Sequence, residues 1–163
     1  QHLIAHRLTL ALAESCTGGL CTETLTRVPG SSRYVRGAVV AYHHEVKHRT
    51  LGVSRAILAH AGTVSAQTAA HMAEGVRQEI GANLGLAITG IAGPTGGTRS
   101  QPVGLVFFGL ADHEHTLTRR EQFAGDRASI TSQAVQVALD WLRCELLTRQ
   151  PPVRRPGVTH NER

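Results

Sequence analysis

The chain of 163 residues is long enough for one domain with a substantial core, since domains of about 150 residues bury roughly 70% of their unfolded surface. Its three cysteines show no CxxC spacing and cannot all pair, which excludes a disulfide framework and indicates reduced thiols in the cytoplasm. No apolar run approaches the ~20 residues of a membrane span, and the first residues lack the apolar run of a signal peptide. We therefore expect a cytoplasmic protein without membrane contact.

The net charge of +5 is concentrated at the carboxyl terminus. Residues 149–163 contain four arginines and one glutamate, so they supply three of the five net positive charges. A Pro- and Arg-rich terminus of this kind is typical of a flexible tail. The sequence therefore predicts one folded domain over residues 1–148 and a basic, flexible tail over residues 149–163.

Five apolar or alternating runs predict strands. The first two are expected to be buried, and the alternation of the last is typical of an edge strand. In chain order the strands are predicted at 8–13, 34–41, 84–89, 103–110 and 116–123.

Helical patterns separate these strands and follow the last of them. The four that lie between strands are predicted at about 19–27, 43–51, 54–60 and 65–81. Ser65 is the expected N-cap of the longest of these, and Gly81 its end. The final helix follows Asp126 as N-cap and carries an apolar stripe at helical spacing. This stripe consists of Ile130, Ala134, Val137, Ala138, Trp141 and Leu142. The alternation of strands and helices predicts a three-layer α/β/α domain with a mixed central sheet of about five strands or more.

The most informative segment is 8–19, LTLALAESCTGG, in which an apolar strand runs into a glycine pair. A small nucleophile such as Ser15, at the tip of a strand and directly before a helix, is placed where backbone N–H groups and the helix dipole can stabilise an oxyanion. The alternative is that Ser15 or Thr17 only caps the following helix, which is the commonest use of these residues. The segment alone leaves both interpretations open.

A second cluster follows the second predicted strand, at the end of the sheet where open α/β folds usually bind ligands. If a helical turn begins there, Tyr42 and Lys47 are five residues apart and could reach one pocket. A lysine made neutral by burial can deprotonate a serine hydroxyl and so form a Ser-Lys dyad. Most lysines are solvated surface charges, however, and spacing does not decide between the two interpretations.

The third cluster is segment 87–104, AITGIAGPTGGTRSQPVG, a long loop rich in Gly, Thr and Pro. It is neither a Walker A sequence nor a GxGxxG dinucleotide motif. Exposed N–H and hydroxyl groups suit a loop that holds a phosphate or a carboxamide, and loops of this length tend to be functional. A plain long turn between two strands is the alternative.

Together the clusters resemble the CinA C-terminal domain, the competence/damage-inducible protein family. The similar motifs are ESCTGG at 14–19, PGSS at 29–32, VVAY at 39–42 with Lys47 five residues on, and TGIAGP, GGT and PVG between 89 and 104. The resemblance continues through GTVSAQTAAHMAEGVR and FAGDR, and so covers residues 8–147.

The resemblance implies an amidohydrolase without metal or cofactor, which converts nicotinamide mononucleotide to nicotinate mononucleotide and ammonia and forms a homodimer. It places the nucleophile on Ser15, the lysine base on Lys47 and an assisting tyrosine on Tyr42. In this scheme Ser15 attacks the carboxamide carbon, the N–H groups around Cys16 to Gly19 hold the oxyanion, and an acyl-enzyme forms as ammonia leaves. Arg127 is the expected anchor for the phosphate or the polar rim of the pocket. The implied substrate-binding residues are Cys16, Thr17, Gly18, Gly19, Thr89, Gly90 and Arg127.

Three positions depart from the family pattern. Ala38 stands where the family has glycine, His44 where it has asparagine, and Gln101 where it has lysine. The last two could change the charge of the pocket and hence the preferred substrate or the rate. Many members also carry an N-terminal domain related to molybdopterin-binding proteins, so we expect a stand-alone or excised amidohydrolase domain here.

Two other classes of function remain as alternatives. His44 and His48, at i and i+4, would share a helix face and could bind a metal, although no acidic or cysteine ligands complete the group. A catalytically silent family member would bind a nucleotide without turnover, with a role in competence or the DNA damage response. Nucleic-acid binding is not expected, because aromatic residues make up only 4% of the chain and no arginine-rich recognition helix is evident.

Overall fold

A five-stranded mixed sheet is the middle layer of the computed structural model, which describes residues 1–149. Its strands are β1 (Leu10–Glu14), β2 (Val35–Val40), β3 (Leu84–Gly90), β4 (Leu105–Ala111) and β5 (Thr116–Gln122). They lie in the order β2-β1-β3-β4-β5. β1 pairs in parallel with β2 and β3, whereas β4 is antiparallel to both of its neighbours. The first three strands therefore end at the same edge of the sheet, called the carboxyl edge below.

Helices cover both faces of the sheet. One face carries α1 (His2–Ala5), α2 (Leu20–Thr26) and α6 (Arg127–Thr148). The other face carries α3 (His44–Arg49), α4 (Arg55–His60) and α5 (Ala66–Ile80). A 3-10 turn at Ser31–Arg33 precedes β2; neither this turn nor α1 was predicted. The predicted three-layer α/β/α fold with a mixed sheet is confirmed.

The predicted helix boundaries are set by the residues expected to set them. The Ser65 hydroxyl accepts an N–H from the first turn of α5, and Gly81 ends that helix with a left-handed φ of 69°. The carboxylate of Asp126 accepts an N–H from the first turn of α6. The apolar stripe of α6 is buried, except that Val137 is half-buried. Local capping chemistry thus fixes the helices whose faces fill the core.

Large and small side chains alternate along β1, so the two halves of the core contain residues of different size. Leu10 and Leu12 pack toward α6, whereas Ala11 and Ala13 pack toward α5. Small residues on this second face allow α5 to lie close to the sheet. A Cβ added to Gly109 of β4 would lie 2.2 Å from a backbone carbonyl oxygen of α5, so no side chain fits there.

The substitution Gly109→Ala is therefore expected to lower the free energy of unfolding by about 1–3 kcal/mol through overpacking. The matched control is Gly37→Ala in β2, where an added Cβ would meet only the Ile80 side chain at 3.4 Å. We expect the control to change stability by less than about 0.5 kcal/mol. Urea unfolding of both variants measures the difference, and equal midpoints would contradict the close approach of α5.

The prediction that the second strand is buried is wrong. β2 lies at the edge of the sheet, none of its six residues is fully buried, and Val40 is 46% exposed. β-branched residues suggested a buried strand, but they are common in edge strands as well. The β propensity of a segment does not depend on how many neighbouring strands it has. The last strand, β5, is the opposite edge, as its alternation predicted.

The first residue of the predicted tail is held against the domain. The Arg149 guanidinium lies 2.6 Å from the Asp112 carboxylate, beside the turn between β4 and β5. The rest of the predicted tail, residues 150–163, lies outside the described residues. Within residues 1–149, no helix combines the length and the apolar character that a bilayer crossing requires.

Candidate active site

Ser15 and Thr89 lie side by side at the carboxyl edge. The Ser15 N–H, directly after β1, donates to the carbonyl oxygen of Ile88 in β3 at 3.0 Å. Since Glu14 pairs in register with Ile88, the next residues, Ser15 and Thr89, are in line. Side chains alternate along a strand, so both continue the alanine rows that face α5. The two hydroxyl groups therefore belong to the same face of the sheet.

Lys47 reaches this face from the last turn of α3. Its side chain is buried, with 2% of the residue exposed. Nζ donates to Thr89 Oγ1 at 2.7 Å and to the carbonyl oxygen of Thr63 at 3.1 Å. The Thr89 hydroxyl donates to the same carbonyl at 2.9 Å. The two bonds that Nζ donates use both N–H groups of a neutral amine, so the lone pair of that amine is free to accept a proton.

Burial lowers the pKa of Lys47 to about 8, because an ammonium loses its hydration in these surroundings. Within residues 1–149, Lys47 forms no ion pair that would restore the charged form. At pH 7 about one molecule in ten then carries the free amine. A solvated lysine, with a pKa near 10.4, would be almost wholly protonated at the same pH. The site thus contains a group that can act as a general base.

The amino-acid composition sets Lys47 apart in a way that motif spacing does not. Lys47 is the only lysine of the chain, and the other 16 of its 17 basic residues are arginines. Arginine cannot lose its proton in a protein, whereas a buried lysine can. The one lysine of the chain is therefore the cationic side chain that burial can make neutral, whereas the arginines stay charged.

The Ser15 side chain is better suited to nucleophilic attack than the neighbouring Cys16 thiol. The Ser15 hydroxyl forms no hydrogen bond with another residue of the described chain, so it is free to react. Burial raises the pKa of the Cys16 thiol to about 11, and the nearby charges of Lys47 and Arg127 offset this only in part. The thiol stays protonated at neutral pH, and a protonated thiol is a poor nucleophile.

Glu14 is a site residue that the sequence analysis missed. Its carboxylate is fully buried. It accepts the N–H groups of Gly19 at 3.1 Å, Cys21 at 3.0 Å and Thr22 at 2.7 Å. The Thr22 hydroxyl donates to it as well, at 2.6 Å. Glu14 therefore caps α2, whose N-cap, Gly19, has no side chain to do so.

These bonds reduce the number of N–H groups that could stabilise an oxyanion near Ser15. Residues 15–18 are called the Ser15 turn below. The Gly19 N–H is bonded to Glu14, and the Gly18 N–H donates to the Ser15 carbonyl oxygen at 3.1 Å. No other residue of the described chain accepts the N–H groups of Cys16 and Thr17. Of the four predicted donors, these two remain for a ligand.

Thr17 adds a second open hydrogen-bonding group to the Ser15 turn. Its Oγ1 is buried and has no partner among residues 1–149. A buried hydroxyl without a partner costs about 1–3 kcal/mol, so such groups usually bind water or a ligand. The Thr17 hydroxyl is therefore available to a ligand, and its substrate-binding role stays a prediction.

Tyr42 and Arg127 form a separate group of exposed side chains. The Arg127 guanidinium donates to the Tyr42 hydroxyl and, at 2.8 Å, to the carbonyl oxygen of Gly93. Tyr42 is 62% exposed, and no hydrogen bond joins it to Ser15 or Lys47 within the described chain. The structure thus brings Tyr42 together with Arg127 rather than with the predicted base and nucleophile. The remaining N–H groups of Arg127 are free for an anion.

The long loop after β3 is closed at its base and tied to the site. The Ile91 N–H donates to the Leu105 carbonyl oxygen, and the Gly104 N–H donates to that of Ile91. Gln101, one of the three departures from the family pattern, donates through Nε2 to the carbonyl oxygen of Val64 at 2.9 Å. Val64 directly follows Thr63, whose carbonyl oxygen accepts a hydrogen bond from Lys47.

Gly90, a predicted substrate-binding residue, has a packing role in the structure. A Cβ at this position would lie 2.7 Å from the Val106 side chain and 2.8 Å from the Leu105 carbonyl oxygen of β4. The contact between the two strands therefore accounts for the glycine.

The histidines of the alternative metal site lack further ligands. His48 Nδ1 lies 2.9 Å from the carbonyl oxygen of Val53, which occupies one of its ring nitrogens. Over residues 1–149, no three His, Cys, Asp or Glu side chains come together as a metal-binding group. The pair His44 and His48 therefore has no third protein ligand from these residue types in that range.

The fold and the site define an α/β/α domain with a serine and a buried lysine at the carboxyl edge of its sheet. The model of the CinA C-terminal domain matches residues 1–146. A CinA-like protein of Geobacter sulfurreducens is 51% identical over 141 residues, which are 86% of this chain and 34% of that protein. The chain belongs to the CinA C-terminal domain family, and it spans about a third of the length of the curated relatives it matches.

Solved structures show the same fold. The competence damage-inducible protein A of Klebsiella pneumoniae superposes with a TM-score of 0.87 at 34% identity, over 91% of this chain and 92% of that one. The competence/damage inducible protein CihA of Agrobacterium tumefaciens superposes with a TM-score of 0.84 at 38% identity, over 87% of each chain. The family resemblance predicted from the motifs is confirmed.

Proposed function

We propose that this domain deamidates nicotinamide mononucleotide to nicotinate mononucleotide and ammonia, with Ser15 as nucleophile and Lys47 as base. The observation that carries the proposal is the buried lysine amine, which Thr89 and Thr63 hold on the face of the sheet to which Ser15 belongs. The choice of substrate rests on the family resemblance.

The proposed reaction uses these residues in two half-reactions, formation and hydrolysis of an acyl-enzyme. The Lys47 lone pair takes the proton of the Ser15 hydroxyl as Oγ attacks the carboxamide carbon. The N–H groups of Cys16 and Thr17 stabilise the oxyanion. Lys47 then gives its proton to the departing nitrogen, and ammonia leaves an acyl-enzyme. Water, deprotonated by the same amine, then attacks the ester carbon. The acyl–Oγ bond breaks, Lys47 returns the proton to Ser15 Oγ, and the acid product leaves and loses its proton to solvent.

Arg127 supplies a second point of substrate recognition. Its guanidinium is exposed, and the bonds to Tyr42 and Gly93 fix its direction. Guanidinium groups bind phosphate through paired N–H donors, so the free donors of Arg127 suit the phosphate of a mononucleotide. Tyr42 then orients Arg127, and its own hydroxyl proton remains available to the substrate.

The test of this function is release of ammonia from nicotinamide mononucleotide by the purified domain, measured with and without exhaustive chelation. We expect turnover to persist in the chelator, because the base and the oxyanion donors are protein groups. Binding of the nucleotide without ammonia would favour the catalytically silent module. Loss of turnover that zinc specifically restores would favour a metal enzyme.

We also propose that the domain is a cytoplasmic homodimer, as the resemblance implies. The edge strand β2 supports this, because its last residue, Val40, is 46% exposed. Leu20 is 37% exposed and lies close by, since the residue before it, Gly19, is next to the Val40 side chain. Exposed apolar side chains at a strand edge favour association with a second chain. Sedimentation of the purified domain measures the oligomeric state.

A further inference from the structure

We propose that Glu14 is a positioning residue for the reaction of Ser15, an inference that rests on the proposed function. Glu14 ends β1, and its buried carboxylate receives four hydrogen bonds, all from residues at the start of α2. Within residues 1–149 it forms no ion pair. A buried carboxylate is costly unless such bonds replace its hydration, so its position is tightly determined.

Glu14 fixes both ends of the Ser15 turn. At the strand end, the Glu14 carbonyl oxygen accepts the Ala41 N–H at 2.7 Å, and the following N–H bonds to Ile88. At the helix end, the side chain of the same residue holds α2. An ordinary cap would come from the N-cap residue itself, but Gly19 has a left-handed φ of 104° and offers no side chain. One residue therefore sets where the turn leaves the sheet and where it enters the helix.

The groups that this turn presents are those a reaction at Ser15 needs. The N–H groups of Cys16 and Thr17 bond to no other residue of the described chain, and the Thr17 hydroxyl is buried there without a partner. Oxyanion donors act only when they are placed to within about 0.5 Å of the productive geometry. Loss of the Glu14 acceptor would release the start of α2 and displace these donors, although Glu14 itself touches no substrate.

The first measurement compares Glu14→Gln with the wild type in deamidation of nicotinamide mononucleotide. Glutamine has nearly the same size, but its NH2 group would face N–H donors that now point at a carboxylate oxygen. We expect kcat to fall about 100-fold, with KM changed less than about threefold, because oxyanion donors act in the transition state. The rise of activity with pH, set by Lys47, should stay in place.

The control is Ser54→Ala, which removes another helix cap. Ser54 accepts the Ile57 N–H at the start of α4 and takes no part in the proposed reaction. This variant is expected to lose thermal stability with kcat unchanged. If Glu14→Gln does not fold, Glu14→Asp replaces it, since it keeps the charge with one methylene fewer and cannot reach all four donors. A folded Glu14 variant with the wild-type kcat would overturn the inference.

A second measurement separates this inference from the proposed substrate. A fluorophosphonate probe reacts with an activated serine: Oγ bonds to phosphorus, fluoride leaves, and Lys47 takes the hydroxyl proton. We expect labelling of Ser15 to be at least about tenfold slower in folded Glu14→Gln than in the wild type. Slower labelling together with no ammonia from the wild type would refute the proposed function and support the inference. Equal labelling of the two proteins, or labelling of neither, would overturn the inference.

Discussion

Replacing Ser15 by alanine is expected to reduce ammonia release on the order of 10⁴-fold or more, because the atom that forms the acyl-enzyme is removed. The fold should be unaffected, since the hydroxyl makes no hydrogen bond within the described chain and alanine is smaller. Circular dichroism and urea unfolding check the fold, and a continuous ammonia assay measures the rate.

Cys16 provides the matched control for this prediction. It is the neighbour of Ser15, and burial keeps its pKa at about 11. Cys16→Ala should therefore keep most of the activity, provided that the turn is undisturbed. Thiol alkylation should modify the exposed Cys144 and spare turnover. Near-normal activity of Ser15→Ala would instead move the nucleophile to Cys16 or Thr17.

The elements that the sequence predicts well are those fixed by local chemistry. The two longest helices begin at Ser65 and Asp126 because a side chain next to the helix satisfies its first N–H groups. The predicted strands match the observed ones to within two residues at each end. Burial of a strand is not local, since it depends on its place in the sheet. The β-branched run of β2 could therefore not reveal that this strand is an edge.

The residues of the site differ in how far the sequence could predict them. Ser15 and Lys47 were placed by the family resemblance, because spacing alone also fits a cap and a surface charge. Thr63 contributes only its carbonyl oxygen, which any residue would supply, so its type carries no signal. Glu14 caps a helix from five residues before its N-cap, outside the usual capping patterns.

The contact between Tyr42 and Arg127 was also beyond sequence reasoning. The two residues are 85 positions apart and meet only because β2 and α6 present their ends at one side of the domain. Family motifs named both residues but not their contact. The structure therefore adds a contact that the motifs do not reveal, and the catalytic role expected of Tyr42 stays a prediction.

Replacing Lys47 by arginine is expected to reduce turnover about as much as replacing it by methionine, on the order of 10³-fold. Arginine keeps the positive charge but cannot release its proton, so it cannot act as the base. Methionine keeps much of the length and fills the buried space without a charge. Urea unfolding checks that both variants are folded, and retention of most of the wild-type rate by Lys47→Arg would exclude the Ser-Lys mechanism.

The same lysine should set the pH dependence of the wild type. Its pKa is lowered by burial to about 8, so the active free amine increases about tenfold per pH unit below that value and levels off above it. Because Lys47 is the only lysine, protein grown with ¹⁵N-lysine gives one Nζ resonance to titrate. Arg49→Lys adds a control on the same helix, where the arginine side chain is 77% exposed. We expect the control lysine to titrate near 10.4 and Lys47 near 8, in step with the rate. Titration of both near 10.4 would show that Lys47 is an ordinary charged lysine and that the base lies elsewhere.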